Sequence, residues 1–467
     1  MNHEPLFGMK TGVIGRQTTA LIRTFLQKKY DLTQSDSIPL TAVPSPLYDG
    51  LQLIRRGGDQ LAPPGKGLVV GSVRMGYGHH RMALSVYSHS LAQGKPTFLH
   101  DLLAVESKES EAIADIDHGY SYFSRLASDL GGVVEWMWGQ IMAQGNISSL
   151  DLSVQLADLY KNLMRDISRD NPVITTYPLN GQIAVANGFK KVIHLICDNF
   201  PQHFLLVPGA INLVQTPSAY KKFISMGVPS DSIAYAGHWV SHDLVKNAIP
   251  DSQVRIKRVQ DKKKKRFLIP IGGAGAQKGF VSDLLKLSTA DLVREKISFF
   301  INTGDHTKVF SALEEVLAQL KIPFESILTW EEMKSFLQKF PLDEEDKSKL
   351  PPIVLFNFPT HTEAFSATDI LMRVSDVLVT KPSELAFFPI PKLFIRRVGD
   401  HEAASVLRSQ ELGEGTSECR EPEIAYDWIK KFQSEPDHLL KMNENIIRAS
   451  DEDVYGGSRK AVQLALE

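Results

Sequence analysis

Glu384 stands where a side chain has the most chemistry within reach. It follows an apolar run, Val377-Leu378-Val379, that ends in Thr380-Lys381, and only Pro382-Ser383 lies between. The run predicts a buried parallel strand, and Pro-Ser-Glu opens a helix with proline in its first turn. A helix beginning at a strand's carboxyl end presents unpaired N–H groups and a positive dipole, which suit a diphosphate. A carboxylate one turn in can accept two hydrogen bonds from ribose hydroxyls. Pro391, seven residues beyond Glu384, then precedes the next strand. The other reading of the segment is an ordinary strand-to-helix junction with a surface glutamate.

A second candidate is Asp198 with His203, just past the apolar run Val192–Ile196. Residues at the carboxyl end of a strand in an open sheet point into the ligand crevice. Asp198 there can act as general base toward an acceptor hydroxyl, with His203 orienting it. A capping aspartate beside a packing histidine explains the same spacing.

Two glycine loops follow apolar runs. The first, Gly76-Tyr77-Gly78-His79, lacks the full dinucleotide fingerprint, although Asp101 lies 23 residues beyond Gly78. The second, Gly272-Gly273-Ala274-Gly275-Ala276-Gln277-Lys278-Gly279, has no Gly-Lys-Ser/Thr ending, which excludes a P-loop. His238 and His242 have no glutamate between them, and no G-x-S-x-G elbow occurs, so neither metal catalysis nor a serine nucleophile is supported.

These residues need elements to hold them. With 467 residues the chain exceeds one core, so two domains are expected. A hydrophobic share of 43% and a charged share of 23% are those of a globular protein, and a net charge of −2 gives no bulk attraction to nucleic acid. Two distant cysteines, Cys197 and Cys419, match no metal spacing and fit a reducing cytoplasm. No segment approaches the roughly 20 apolar residues that span a bilayer, and no signal-peptide core is expected.

Residues 1–66 read as an extension, with a helix around Thr18–Lys29 followed by coil. From Leu68, apolar runs at Thr97–Leu99, Val173–Thr175, Val192–Ile196 and Ile211–Val214 alternate with helical stretches, giving a Rossmann-like domain over 67–245. Eight basic residues between Val254 and Arg266 mark a linker over 246–265. Residues 255–266 are also a candidate docking surface for anionic lipid, with a solvated linker as the alternative. A second Rossmann-like domain, 266–440, has strands at Phe267–Ile271, Ile297–Asn302, Ile353–Phe356, Val377–Thr380 and Lys392–Ile395, and helices over 441–467 pack back.

Taken in chain order, several segments resemble the GT-B glycosyltransferases of the monogalactosyldiacylglycerol synthase type and their relatives, the processive diacylglycerol glucosyltransferases and the peptidoglycan lipid-intermediate N-acetylglucosaminyltransferase. The matching residues are Gly76-Tyr77-Gly78-His79 with Ala83; Asp198 and His203; Gly227-Val228 through Ile233 to Gly237; and the loop Gly272–Gly275. Met372, Asp376, Thr380, Lys381, Glu384, Pro391 and His401-Glu402 follow, so that the resemblance covers residues 67–440.

The resemblance implies a GT-B architecture of two doubly wound domains facing a cleft. It implies a nucleotide sugar, a uridine one, as co-substrate, with no other cofactor and no metal, and a lipid or small-molecule hydroxyl as acceptor. Gly273, Gly275, Lys381, Ser383, Glu384, His401 and Glu402 would hold the donor. Asp198 would be the base, His79 would act near the diphosphate or acceptor, and Gly76, Gly78 and His203 would line the acceptor side. A cytoplasmic protein, peripheral at the inner membrane face, is implied.

Three places differ from the family. Five residues are missing between Thr380-Lys381 and Glu384, Gly237-His238-Trp239 replaces Gly-hydrophobic-Pro, and Pro389-Ile390-Pro391 replaces Gly-Leu-Pro. A shortened diphosphate loop is what a degenerate GT-B protein, binding a ligand or partner without catalysis, would carry.

Overall fold

A computed structural model describes residues 6–9, 13–32, 38–58, 64–74, 77–118, 147–272, 277–343, 350–397 and 402–467. Gly76, Gly273, Gly275 and His401 lie outside the described residues. The chain forms two compact units. One comprises Met1–Met75, Met82–Ser241 and Gly457–Glu467; the other comprises Gly76–Arg81 and His242–Gly456.

The first unit is built on an eight-stranded sheet. Its strands are β1 (Leu40–Pro44), β2 (Leu51–Arg56), β3 (Leu68–Ser72), β4 (Thr97–Asp101), β5 (Val173–Thr175), β6 (Val192–Leu195), β7 (Ile211–Val214) and β8 (Ile233–Tyr235), in the order β1-β2-β4-β3-β5-β6-β7-β8. Only the β1–β2 pair is antiparallel. Every residue of β3, β5 and β6 is buried, as expected of strands covered by helices on both faces.

Residues 40–56, read as part of an extension over 1–66, therefore belong to the sheet. β1 and β2 add two strands to the sheet, and Ile38, Leu40, Leu51 and Ile54 are buried in it. Prolines 39, 44 and 46 punctuate this stretch and make it read as coil, yet as residues of an outer hairpin they interrupt little of the pairing.

The second unit carries six parallel strands: β9 (Lys265–Pro270), β10 (Ile297–Asn302), β11 (Phe324–Ile327), β12 (Ile353–Phe356), β13 (Val377–Thr380) and β14 (Lys392–Phe394). Their order is β11-β12-β10-β9-β13-β14. The core is phenylalanine-rich, with Phe267 on Phe299 and Phe300 on Phe336 edge to face at 5.8 and 5.4 Å between ring centres. The fold class expected from the sequence, two doubly wound α/β units, is the one observed.

The basic linker expected over 246–265 is corrected by the structure. Residues His242–Gln260 are one helix and Lys265 begins β9, so the charged run belongs inside the second unit. Arg255, Arg258, Lys265 and Arg266 are buried. Arg255 donates to the carbonyls of Met372 (2.8 Å) and Ser375 (2.9 Å), and Arg266 to those of Phe340 (3.1 Å) and Pro341 (3.0 Å). Guanidinium groups carry enough donors to close off strand and helix ends that have lost their own partners, and this draws them inward.

The C-terminal block, expected as one piece over 441–467, divides between the units. Helix Pro436–Asp451 belongs to the second, and helix Gly457–Leu466 to the first. There Gly457 N–H donates to His238 O (3.0 Å), Lys460 Nζ to Ala236 O (2.9 Å), and the Ser458 and Ser85 hydroxyls lie 2.6 Å apart. Among the described residues no helix is long and apolar enough to cross a membrane.

Candidate functional site

In an open parallel sheet, ligands bind beyond the carboxyl ends of the strands where the crossovers diverge. In the second unit that point falls between β9 and β13, because β9 leads to β10 on one side while β13 lies on the other. Beyond β9 comes Ile271-Gly272, and beyond β13 comes Lys381-Pro382-Ser383-Glu384. The two loops touch: a Cβ on Gly272 would stand 3.6 Å from Lys381 Cε. Gly272 and Lys381 thus meet at one sheet edge.

The turn after β13 differs from expectation. Glu384 heads a 3-10 turn, Glu384–Phe387, and no α-helix follows. Phe388 is extended, and Pro389 and Pro391 deny the backbone donors and geometry that a longer helix needs. Ser383 N–H donates to Lys381 O (2.8 Å), which tightens the loop. Lys381 Nζ lies 2.6 Å from Glu402 Oε1, a pair in which the glutamate is almost fully buried. Two residues expected to hold a donor are therefore joined to each other, and the ammonium already faces a carboxylate.

Glu384 keeps 27% of its side chain exposed. Its carboxylate reaches the first turn of helix Gly78–Ala92, where a Cβ on Gly78 would meet Oε2 at 3.6 Å and where Arg81 Nε stands 4.0 Å from Oε1. Arg81 is buried, with Nη1 3.0 Å from Asp369 Oδ1 on helix His361–Met372. The rings of Phe365 and Phe388 lie 5.9 and 5.7 Å from the guanidinium carbon. Burial above all, helped by the Glu384 charge and opposed by Arg81, lifts the Asp369 carboxyl to about 6.

Three more groups line this first turn. His80 Nδ1 lies 3.1 Å from His361 Nε2, with the rings 5.2 Å apart, and the Tyr77 hydroxyl donates to Asp305. Gly304, at φ +72°, leaves room for that hydroxyl, since a Cβ there would sit 2.6 Å from it. His79 is half-buried on the same turn. Arg81, Asp369, His80, His361, Tyr77 and Asp305 were not anticipated as site residues. A lone aspartate in a helix and an arginine after two histidines carry no local signal, and His80 and His361 are 281 residues apart.

In the first unit Asp198 follows β6 at the carboxyl edge of the sheet and is half-buried. His203 opens the 3-10 turn His203–Leu205, and its Nε2 lies 3.4 Å from Met226 O. Around them Gln215 Nε2 donates to Cys197 O (2.9 Å), Thr216 Oγ1 to Asn199 Oδ1 (2.5 Å) and Trp239 Nε1 to Ile196 O (2.9 Å), which fixes the loop on both flanks of Asp198. Among the described residues no group of three or more His, Cys, Asp or Glu side chains is arranged to hold a metal ion.

The fold and these two strand-end sites define a protein of two doubly wound α/β units with polar loops at the carboxyl edges of both sheets. The chain belongs to the family described as Domain of unknown function (DUF6938), whose model matches residues 228–466, and residues 10–225 match Domain of unknown function (DUF6937). No curated protein sequence matches it. Among solved structures it is similar to UDP-GlcNAc 2-epimerase from Neisseria meningitidis bound to UDP-GlcNAc, at 13% identity over 86% of this chain and 100% of that one, with a TM-score of 0.47. It is also similar to alpha,alpha-trehalose 6-phosphate synthase from Burkholderia multivorans, at 13% identity, 86% and 98% coverage and a TM-score of 0.44. A glycosyltransferase from Rickettsia africae gives 12% identity, 86% and 98% coverage and a TM-score of 0.43.

Proposed function

We propose that the protein is a GT-B glycosyltransferase that takes a nucleotide diphosphate sugar, a uridine one, and transfers the sugar to a hydroxyl of a lipid or small-molecule acceptor. The observation that carries this reading is the switch point of the second unit, where Gly272, Lys381, Ser383 and the partly exposed Glu384 follow the ends of neighbouring strands at one sheet edge. Glu384 accepts the ribose hydroxyls in this reading. Lys381 and the Ser383 side chain face the diphosphate in this reading, and Glu402 holds Lys381 in place. Asp198 takes the proton of the acceptor hydroxyl during an inverting displacement, and His79 stays near the diphosphate or acceptor. The departing diphosphate is stabilised by backbone N–H groups and no metal is invoked.

A second reading, a binding protein without turnover, is favoured by one feature. Glu384 heads a four-residue 3-10 turn, so the dipole behind the diphosphate is a fraction of that of a full helix. Incubation of the full chain with a panel of nucleotide sugars and hydroxyl acceptors separates the two. The enzyme reading expects donor-dependent transfer or hydrolysis, with Asp198→Asn lowering kcat by about 10²-fold while donor affinity is nearly kept. Binding of a nucleotide with no turnover of any donor supports the second reading, and unchanged turnover in Asp198→Asn removes that residue from the mechanism.

A further inference from the structure

Arg81 has an unusual station. Only 3% of its side chain is exposed, and it faces two carboxylates at once, Asp369 at 3.0 Å and Glu384 at 4.0 Å. Neither contact is an aligned hydrogen bond: Nε and Nη1 of Arg81 and Oδ1 of Asp369 are buried without one among the described atoms. The aromatic faces of Phe365 and Phe388 border the guanidinium, so it has few directions other than those of the two acids. A guanidinium in this position can turn its donors to one acid or the other with little displacement, and whichever it faces is held ionised.

We propose that Arg81 is the positioning residue for Glu384, and that Asp369 sets how much of the guanidinium Glu384 receives. The proposal rests on the reading of Glu384 as the nucleotide-binding carboxylate. It adds that the competence of Glu384 is decided one layer away, by a charge shared between two acids. The other charged and titratable groups around this turn are already engaged. His80 lies against His361, Asp305 accepts from Tyr77, His306 Nε2 is 3.9 Å from Asp305, and Lys381 is paired with Glu402. The charges acting on Asp369 are those of Arg81 and Glu384.

The consequence is a defined dependence on protons. When Asp369 is neutral, Arg81 turns to Glu384 and fixes its carboxylate. When Asp369 is ionised, the guanidinium is divided. Replacing Arg81 by an uncharged residue leaves two part-buried carboxylates facing the same vacated position, so that Glu384 takes up a proton more readily and accepts hydroxyl hydrogen bonds less well.

The test uses the full chain labelled with carboxyl-¹³C glutamate, with the Glu384 signal identified by its loss in Glu384→Gln. In Arg81→Gln the Glu384 signal is expected to titrate about one pH unit or more above the wild type, in Asp369→Asn below it, and in Arg81→Lys close to it. Calorimetric titration with uridine diphosphate is the second arm. Arg81→Gln is expected to bind severalfold more weakly than the wild type near pH 5 and to approach it as the pH is raised to neutral, while Arg81→Lys retains most of the affinity. Far-UV circular dichroism of each variant confirms that it is folded. If Glu384 titrates alike in all folded variants, the proposal is overturned whatever the nucleotide does. If the titrations move as expected and uridine diphosphate binds none of the proteins, the positioning role stands and the nucleotide reading fails.

Discussion

In the second unit two aspartates each face a buried arginine, and their protons are held in opposite ways. Asp376 accepts from Arg258 Nε at 3.0 Å and Nη2 at 3.2 Å and from Arg266 N–H at 2.8 Å. Burial pushes its carboxyl up, but the Arg258 charge and hydrogen bonds, the Lys265 charge and the Arg266 N–H outweigh that and hold it below the usual range. Asp369 has one arginine at 3.0 Å without an aligned hydrogen bond, and a second acid sharing it, so burial prevails and its carboxyl rises to about 6. The same pair of side chains is a closed structural joint in one place and an open, adjustable one in the other. The number of hydrogen bonds that reach the carboxylate decides which.

The comparison can be broken at its stronger end first. Asp376→Ala takes the Asp376 carboxylate away from buried Arg258 and the acceptor away from the Arg266 N–H, and is expected to cost about 3–5 kcal/mol in urea unfolding. A loss below about 1 kcal/mol would mean that this joint is no firmer than a surface pair.

The pH dependence sharpens the contrast, because the signs are opposite. The folded Asp376 carboxyl titrates below its unfolded value of about 4, so its contribution is present above that pH and is lost as pH falls through the folded value. The folded Asp369 carboxyl titrates near 6, so between about pH 4 and 6 the folded chain holds a proton that the unfolded chain has released, and stability falls as pH rises through that window. The fall is at most about 3 kcal/mol for two units of separation. Thermal unfolding of Asp369→Asn across that window is expected to show it removed, and parallel wild-type and variant curves would place Asp369 among ordinary carboxylates.

The smallest effect is expected at the solvent side of the same charged run. Lys257 and Lys262 are exposed while Arg255 and Arg258 are buried. Charge reversal at Lys257 and Lys262 together should change stability by no more than about 0.5 kcal/mol, against a cost of several kcal/mol for Arg255→Ala, whose removal strands the carbonyls of Met372 and Ser375. Comparable losses at the two sets would contradict the division of this run into buried and solvated halves.

Much of the architecture could be read from apolar runs alone. β3, β5, β6, β9, β10, β12 and β13 are short, continuous and buried on both faces, so each announces itself without regard to its neighbours. β11 does not, since from Phe324 to Ile327 only the last residue is buried. β1 was hidden by prolines 39, 44 and 46 in and around it, and β2 by its mixed apolar and polar residues. At the candidate site, Lys381 and Glu384 were legible because a strand end and a turn lie adjacent in sequence. Arg81 and Asp369 were not, because an ion pair between distant segments leaves no spacing to find, and four of the eight basic residues of the supposed linker turned inward for the same reason.

The central claim, that the second unit's switch point takes a nucleotide through Glu384, is tested most directly by calorimetric titration of the full chain and of Glu384→Ala with uridine diphosphate. The wild type is expected to bind in the micromolar to millimolar range, and loss of two charge-assisted hydrogen bonds should weaken Glu384→Ala by at least about tenfold. Equal affinity in the two proteins, or no heat of binding from the wild type at millimolar nucleotide, would contradict it.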